Sequence, residues 1–126
     1  MSNIGVDEAK KILKEKGFSN IQAHGKETDW PFDIYAEKGG VCYLIDVKGS
    51  DGAHNLGGWD TAWPSRINKI CKDTECRPMV MLVNTKVGEY MFLFPDLKQS
   101  NIIRKIEKST NLQIEWVKQI QKKIIR

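Results

Sequence analysis

The sequence predicts an α/β protein of the α+β type, built on a mixed five-stranded sheet flanked by helices. Two observations carry this prediction. The pair Gly39-Gly40 separates two β-rich runs, residues 32–38 and 41–48, and suits the tight turn of a hairpin. Farther along, residues 78–84 are almost entirely apolar, which is typical of a strand buried on both faces. The helical pattern between them predicts a crossover that sets this strand parallel to its neighbour.

The other elements follow from periodicity and from signals at their ends. Residues 6–16 predict a first helix that ends at Gly17, and residues 18–24 and 89–94 predict short strands. The first three strands are therefore expected to form an antiparallel meander. The helix at residues 63–75 has an inner stripe made of Ile67, Ile70, Cys71 and Thr74.

The C-terminal part is predicted to be helical. Residues 102–106 suggest a short helix, and Thr110 and Gln113 match a capping box that opens a final helix. This final helix has a broad apolar stripe. It either packs on the sheet or completes a dimer.

Length and composition predict one domain, 1–126, with a core at about residues 6–94 and a helical extension at 95–126. The net charge of +4 permits a polyanionic partner without requiring one. Three cysteines, without metal-type spacing, favour a reduced, cytoplasmic (intracellular) setting. No signal-peptide pattern opens the chain, and its longest apolar run, residues 79–83, is too short to span a bilayer, so no membrane contact is expected.

The hairpin turn fixes a register that brings two acids together. With Gly39 and Gly40 as the loop, Asp33 lies directly opposite Asp46, and period-two alternation puts Lys48 on the same face. Tyr35 and Leu44 share that face. The other face is predicted to supply an apolar core surface, consisting of Phe32, Ile34 and Ala36 opposite Tyr43, Ile45 and Val47.

Two opposed carboxylates disfavour strand pairing by a few tenths to roughly 1 kcal/mol. A divalent cation bridging Asp33 and Asp46 would reverse the sign of this effect, and carboxylate oxygens suit Mg²⁺ or Mn²⁺. The alternative is an amphipathic hairpin whose solvent face carries two aspartates and a lysine that pair loosely.

These residues resemble the motif of the PD-(D/E)XK nuclease superfamily, which has the restriction-endonuclease-like fold. The matching parts are Pro31-x-Asp33, a spacer of twelve residues, and Asp46-Val47-Lys48. Among these nucleases the chain is most similar to archaeal Holliday-junction resolvases, although it has Asp46 where resolvases usually carry glutamate. The resemblance implies an αβββαβ core with extra C-terminal helices outside it.

The resemblance also implies an activity, that of a metal-dependent endonuclease acting on DNA, as a homodimer and on branched substrates. Asp33, Asp46 and the Val47 backbone carbonyl would bind Mg²⁺, for which Mn²⁺ would substitute, and Lys48 would stabilise charge on the phosphate or orient the attacking water. Resolvases add a glutamate from the first helix, and Glu8 is the candidate here; an acid that only complements the helix dipole is the alternative. The rival function is a catalytically inactive module on the same fold that binds nucleic acid or protein.

Three basic residues are candidates for contacts to the DNA backbone. Arg66 and Lys69 lie off the apolar stripe of their helix, and Lys26 lies in the loop before the hairpin. For each of them, an ordinary solvated side chain is the alternative.

Overall fold

The computed structural model describes residues 5–25, 30–50, 63–84, 89–94 and 108–124. These ranges contain helices α1 (Val6–Glu15), α2 (Trp63–Thr74) and α3 (Lys108–Ile124), and strands β1 (Ser19–Ala23), β2 (Ile34–Lys38), β3 (Val41–Ser50), β4 (Arg77–Asn84) and β5 (Glu89–Leu93). The predicted helix at residues 102–106 and the loop residue Lys26 lie outside the described residues.

The five strands form one mixed sheet in the order β1-β2-β3-β4-β5. β1, β2 and β3 are the predicted antiparallel meander, β4 is parallel to β3 through the α2 crossover, and β5 returns antiparallel to β4. This arrangement confirms the predicted fold class.

The hairpin turn between β2 and β3 has the predicted register. Gly39 and Gly40 have φ angles of +62° and +81°, the left-handed conformations that a type I′ turn requires at both central positions. Lys38 pairs with Val41 and, at the far end, Ile34 pairs with Ile45. The turn therefore sets which residues of β2 and β3 face each other at the open end of the hairpin.

The sheet is covered on both faces, so the hairpin has no solvent face. α1 packs on the face that carries Ile34 and Ile45, whereas α2 and α3 cover the face that carries Tyr35 and Leu44. The prediction placed a core only on the first of these faces. It also placed Phe32 there, which is wrong: the segment before Ile34 is not a regular strand, and Phe32 packs with Tyr35.

The final helix packs on the sheet, the first of the two predicted alternatives. Ile114 and Val117 of α3 join the cluster beneath α2. The predicted capping box is wrong, because α3 begins at Lys108 and Gln113 is buried against the core rather than placed at the helix start. Within the described ranges, each helix is too short or too polar to cross a bilayer.

Candidate functional site

Asp33 is held at the start of β2 by two hydrogen bonds to β3. Its backbone amide donates to the Ile45 carbonyl oxygen at 2.7 Å, and its side-chain Oδ2 accepts from the Val47 amide at 2.8 Å. The aspartate side chain thus replaces a backbone rung of the ladder just before Ile34, where β2 begins. Because both its backbone and its carboxylate are bonded to β3, the position of Asp33 relative to Asp46 is well defined.

Asp46 is a buried carboxyl group beside a second one. Alternation along β3 places it on the face of Leu44, with only 8% of the residue exposed. Lys48 Nζ lies 3.3 Å from Asp46 Oδ2, and the Asp33 carboxyl is near enough to influence the ionisation of Asp46. Burial, opposed by the Lys48 charge and aided by Asp33, raises the pKa of Asp46 from 3.8 to about 7.

The structure therefore brings together the three residues predicted to be catalytic. The Asp33 carboxyl adds to the rise in the pKa of Asp46, and the half-exposed Lys48 forms an ion pair with Asp46. The loosely paired surface group of the alternative interpretation does not match this arrangement, because Asp46 is almost fully buried.

Two aromatic side chains that the sequence did not single out hold the segment before Asp33. Trp63 Nε1, at the start of α2, donates to the Pro31 carbonyl oxygen at 2.6 Å, and His24 Nε2 donates to the Phe32 carbonyl oxygen at 2.6 Å. Three consecutive residues that end at Asp33 are thus bonded to three different parts of the chain. No local pattern could have revealed these bonds, since their donors lie 8 and 32 residues from their acceptors.

The same segment is packed inside an aromatic cluster formed by His24, Trp30, Phe32 and Trp116. The Trp30 and His24 rings lie 4.1 Å apart, and Trp116 of α3 lies 5.9 Å from both Trp30 and Phe32. The rings of His24, Phe32 and Trp116 therefore cover most of the Trp30 ring.

The donor set of the aspartate pair fits a hard divalent cation. Within a strand, the amide and carbonyl of one residue point to the same side, so the Val47 carbonyl is directed to the edge where its amide meets Asp33. Two carboxylates and a backbone carbonyl at the end of β2 are oxygen ligands of the kind that Mg²⁺ and Mn²⁺ take. Burial is the main cause of the raised pKa of Asp46, and a cation there would offset the smaller contribution from repulsion by Asp33.

The predicted third acid of the site, Glu8, lies in the first helix. Across the described part of the chain, no three His, Cys, Asp or Glu side chains form a group arranged to hold a metal ion. Glu8 is half-buried in the first turn of α1, which packs on the sheet face opposite that of Asp46. Its part in the site stays a prediction.

Two of the three basic candidates lie on α2. The first residue of this helix, Trp63, is hydrogen-bonded to the segment that precedes Asp33. Arg66 is half-buried one turn into the helix, and Lys69 Nζ lies 3.3 Å from Asp73 Oδ2 on its outer surface. An exposed ion pair at this spacing contributes about 0.3–0.5 kcal/mol, so Lys69 can exchange Asp73 for another anion at little cost. Their contact with nucleic acid stays a prediction.

The architecture is shared with solved structures. The chain is similar to the structure of Hjc from Archaeoglobus fulgidus, a Holliday junction resolvase from an archaeal hyperthermophile, with a TM-score of 0.51 and 17% sequence identity. The similarity covers 90% of this chain and 99% of the resolvase chain, so it extends over the whole neighbouring protein. No protein-family model and no curated protein matches the sequence. At this identity the similarity establishes a common fold.

Proposed function

We propose that this protein is a metal-dependent endonuclease that hydrolyses phosphodiester bonds in DNA, with branched DNA as its substrate. The observation that carries the proposal is that Asp33 is hydrogen-bonded to β3 on either side of Asp46, with Lys48 paired to Asp46, at the open end of the β2–β3 hairpin. The fold that the chain shares with a Holliday junction resolvase supports the choice of substrate.

Asp33, Asp46 and the Val47 carbonyl are the proposed ligands of Mg²⁺, for which Mn²⁺ would substitute. When bound, the metal polarises the scissile phosphate and lowers the pKa of the attacking water. The protein contributes ligands that are already in place. The hydrogen bonds that join Asp33 to Ile45 and Val47 fix the position of one carboxylate in the metal-free protein.

Lys48 is the proposed stabiliser of the charge that develops on the phosphate. Its side chain is 44% exposed, whereas the Asp46 side chain is 12% exposed, so Lys48 is the more accessible member of the ion pair. With Asp46 serving as a metal ligand, Lys48 would be free to interact with a phosphate oxygen.

The remaining parts of the proposal concern DNA and oligomeric state. Lys26, Arg66 and Lys69 are the proposed backbone contacts, and Glu8 is a proposed additional metal ligand. A homodimer is proposed because cutting a four-way junction on two strands requires two sites related by symmetry.

Nicking of supercoiled plasmid tests the activity. We expect nicking with Mg²⁺ or Mn²⁺, none with EDTA, and none for Asp33→Asn or Asp46→Asn. The matched control is Asp7→Asn, which removes an exposed acid from the first turn of α1 and should retain activity. DNA binding without any metal-dependent nicking would instead favour the inactive binding module.

A thermal melt tests the metal site separately from cleavage. A cation that binds only the folded state raises Tm by mass action, so wild type should melt higher with Mg²⁺ or Mn²⁺. Asp46→Asn should abolish this shift and should stabilise the metal-free protein by a few tenths to roughly 1 kcal/mol, or about 2–8 °C. The absence of a wild-type shift with either metal, together with an unchanged melt of the variant, would rule out the site.

A further inference from the structure

Two cysteines lie side by side at the end of the sheet opposite the aspartates. Cys42 is the second residue of β3 and Cys76 directly precedes β4, and the pairing of Tyr43 with Arg77 makes them neighbours on adjacent parallel strands. Both belong to the layer between the sheet and helices α2 and α3. Neighbouring strands lie about 4.8 Å apart, which falls within the Cα separation of about 4.4–6.8 Å that a disulfide needs.

One side-chain amide connects the two sulfur atoms. Gln121 Nε2, on α3, lies 3.6 Å from Sγ of Cys42 and 3.6 Å from Sγ of Cys76, and it donates to the Thr74 carbonyl oxygen at 2.9 Å. Each thiol also has a backbone acceptor, Glu75 for Cys42 at 3.5 Å and Thr74 for Cys76 at 3.8 Å. The pair is therefore held in place from three elements.

The two thiols differ in access and in acidity. Cys42 is half-exposed and lines a cavity of about 520 Å³ together with Tyr35, Glu37, Lys38, Thr74 and Gln121. The adjacent Cys76 thiol, joined by the Gln121 amide, lowers the pKa of Cys42 to about 7, whereas Cys76 is buried and its pKa is raised. Cys42 is thus the thiol that a small molecule can reach and that ionises near neutral pH.

Cys71 provides an internal comparison. It is buried beneath α2, and burial raises its pKa to about 12. A thiol in such surroundings is unreactive at neutral pH.

We propose that Cys42 and Cys76 form a redox-active dithiol, in which Cys42 attacks a low-molecular-weight disulfide and Cys76 resolves the product. The Cys42 thiolate displaces one thiolate from the small disulfide and forms a mixed disulfide. Cys76 then loses its proton and attacks the Cys42 sulfur, which releases the second small thiol. In total the protein loses two protons and two electrons, and the small disulfide takes them up to become two thiols.

The resulting disulfide would link β3 to the residue before β4. It would enclose the segment 42–76, which contains Asp46, Lys48 and α2. Closing a loop of this length restricts the unfolded chain, so the oxidised protein should melt at a higher temperature than the reduced protein. This proposal does not depend on the nuclease proposal, because the thiols lie about 13 Å from Asp46 along β3.

The test treats the fully reduced full-length protein with oxidised glutathione near pH 7.5, followed by intact mass and peptide mapping. We expect a loss of two hydrogen atoms, a cross-linked peptide that joins Cys42 to Cys76, and a Cys71 that still reacts with iodoacetamide after unfolding. Cys71→Ser is the matched control and should behave as wild type. Cys42→Ser should neither form the cross-link nor retain glutathione, and Cys76→Ser should keep one glutathione on Cys42.

Gln121→Ala keeps both thiols and removes only the amide that contacts both sulfur atoms. It therefore tests the proposal even if Cys76→Ser does not fold. It should slow the first exchange step several-fold while the protein stays folded. Folded wild type with Cys42 and Cys76 both still reduced, a cross-link that includes Cys71, or disulfides only between chains would overturn the proposal.

Discussion

Asp46 is buried, and both a second carboxyl group, Asp33, and a lysine, Lys48, act on its side chain. Burial alone favours the neutral acid, Asp33 favours it further, and Lys48 favours the charged form. The pKa of about 7 means that burial and Asp33 outweigh the ion pair in the metal-free protein. Metal binding at neutral pH must therefore displace a proton, and the affinity for Mg²⁺ should rise with pH until Asp46 is ionised.

This raised pKa makes the metal-free fold sensitive to pH. A carboxyl group with a pKa of 3.8 when unfolded and about 7 when folded binds its proton more tightly in the folded state. Its favourable contribution to the free energy of unfolding is complete below about pH 3.8 and is lost as pH rises through about 7. Asp46→Asn removes this titration, so the stability of wild type relative to the variant should fall between pH 4 and pH 7 in EDTA. Denaturant melts of both proteins at several pH values measure this difference, and a constant difference would contradict the raised pKa.

Lys48 is expected to matter for cleavage more than for metal binding. Removing one charge stabiliser from an enclosed site costs about 10²–10³ in rate, or ~2.7–4 kcal/mol, so Lys48→Ala should lose plasmid nicking by this factor and keep its metal-dependent Tm shift. The variant also loses the charge that opposes the raised pKa of Asp46, so metal binding should require a higher pH than in wild type. Lys72→Ala, an exposed lysine on α2, is the control. Nicking near the wild-type rate would remove Lys48 from the mechanism.

The hairpin shows what local sequence can predict. Two glycines with positive φ impose a turn, the turn imposes a register, and the register brings Asp33 to Asp46; each step depends on residues close in sequence. The end of α1 is a similar case. Gly17, at φ +91°, donates its amide to the Lys14 carbonyl, and the Phe18 amide donates to Leu13 at 3.0 Å, which is the Schellman pattern that a glycine at this place predicts.

The parts that sequence reasoning missed depend on long-range contacts. Burial of the Tyr35 and Leu44 face is due to α2 and α3, and nothing within the hairpin indicates that helices from later in the chain will cover it. Gln113 is a second example. Its local pattern predicted a role in a capping box, but it lies within α3 and is buried. The cysteines gave no signal by spacing, because Cys42 meets Cys76 only through the parallel pairing of β3 and β4.

The start of α2 is expected to position the metal site through Trp63. Trp63→Phe leaves the buried Pro31 carbonyl without the indole donor, which costs about 1–3 kcal/mol, and loosens the segment that leads to Asp33. We expect a lower Tm and also a weaker affinity for Mg²⁺. Trp116→Phe reduces a ring in the same aromatic cluster and is the control for packing. Equal losses of metal affinity in the two variants would show that packing alone, and not this hydrogen bond, supports the site.

Across the molecule, the two candidate sites lie at opposite ends of one layer. Asp46 lies in the middle of β3, and the segment before Asp33 is bonded to the start of α2. The thiol pair lies at the beginning of β3, where α2 finishes beside Gln121 of α3. Both lie on the face that α2 and α3 cover, so the helices that complete the core also shape both sites.

β5 is an edge strand, and Met91 and the adjacent Phe94 are 54% and 63% exposed there. This exposed edge is a candidate contact for a second copy of the chain.

A preference for branched DNA is the most demanding expectation, because it requires the fold, the site and a dimer together. Four-way junctions should be bound and cut in preference to linear duplex of equal length, by a protein that sediments as a dimer at the working concentration. Met91→Lys adds a charge to the exposed edge of β5 and should shift the protein towards monomer, reducing the preference for junctions while the metal-dependent Tm shift is kept. Lys118→Ala, on the exposed surface of α3, is the control and should leave the assembly unchanged. Equal competition by linear duplex, or a monomeric wild type, would reduce the proposal to a nuclease without a preference for branched DNA.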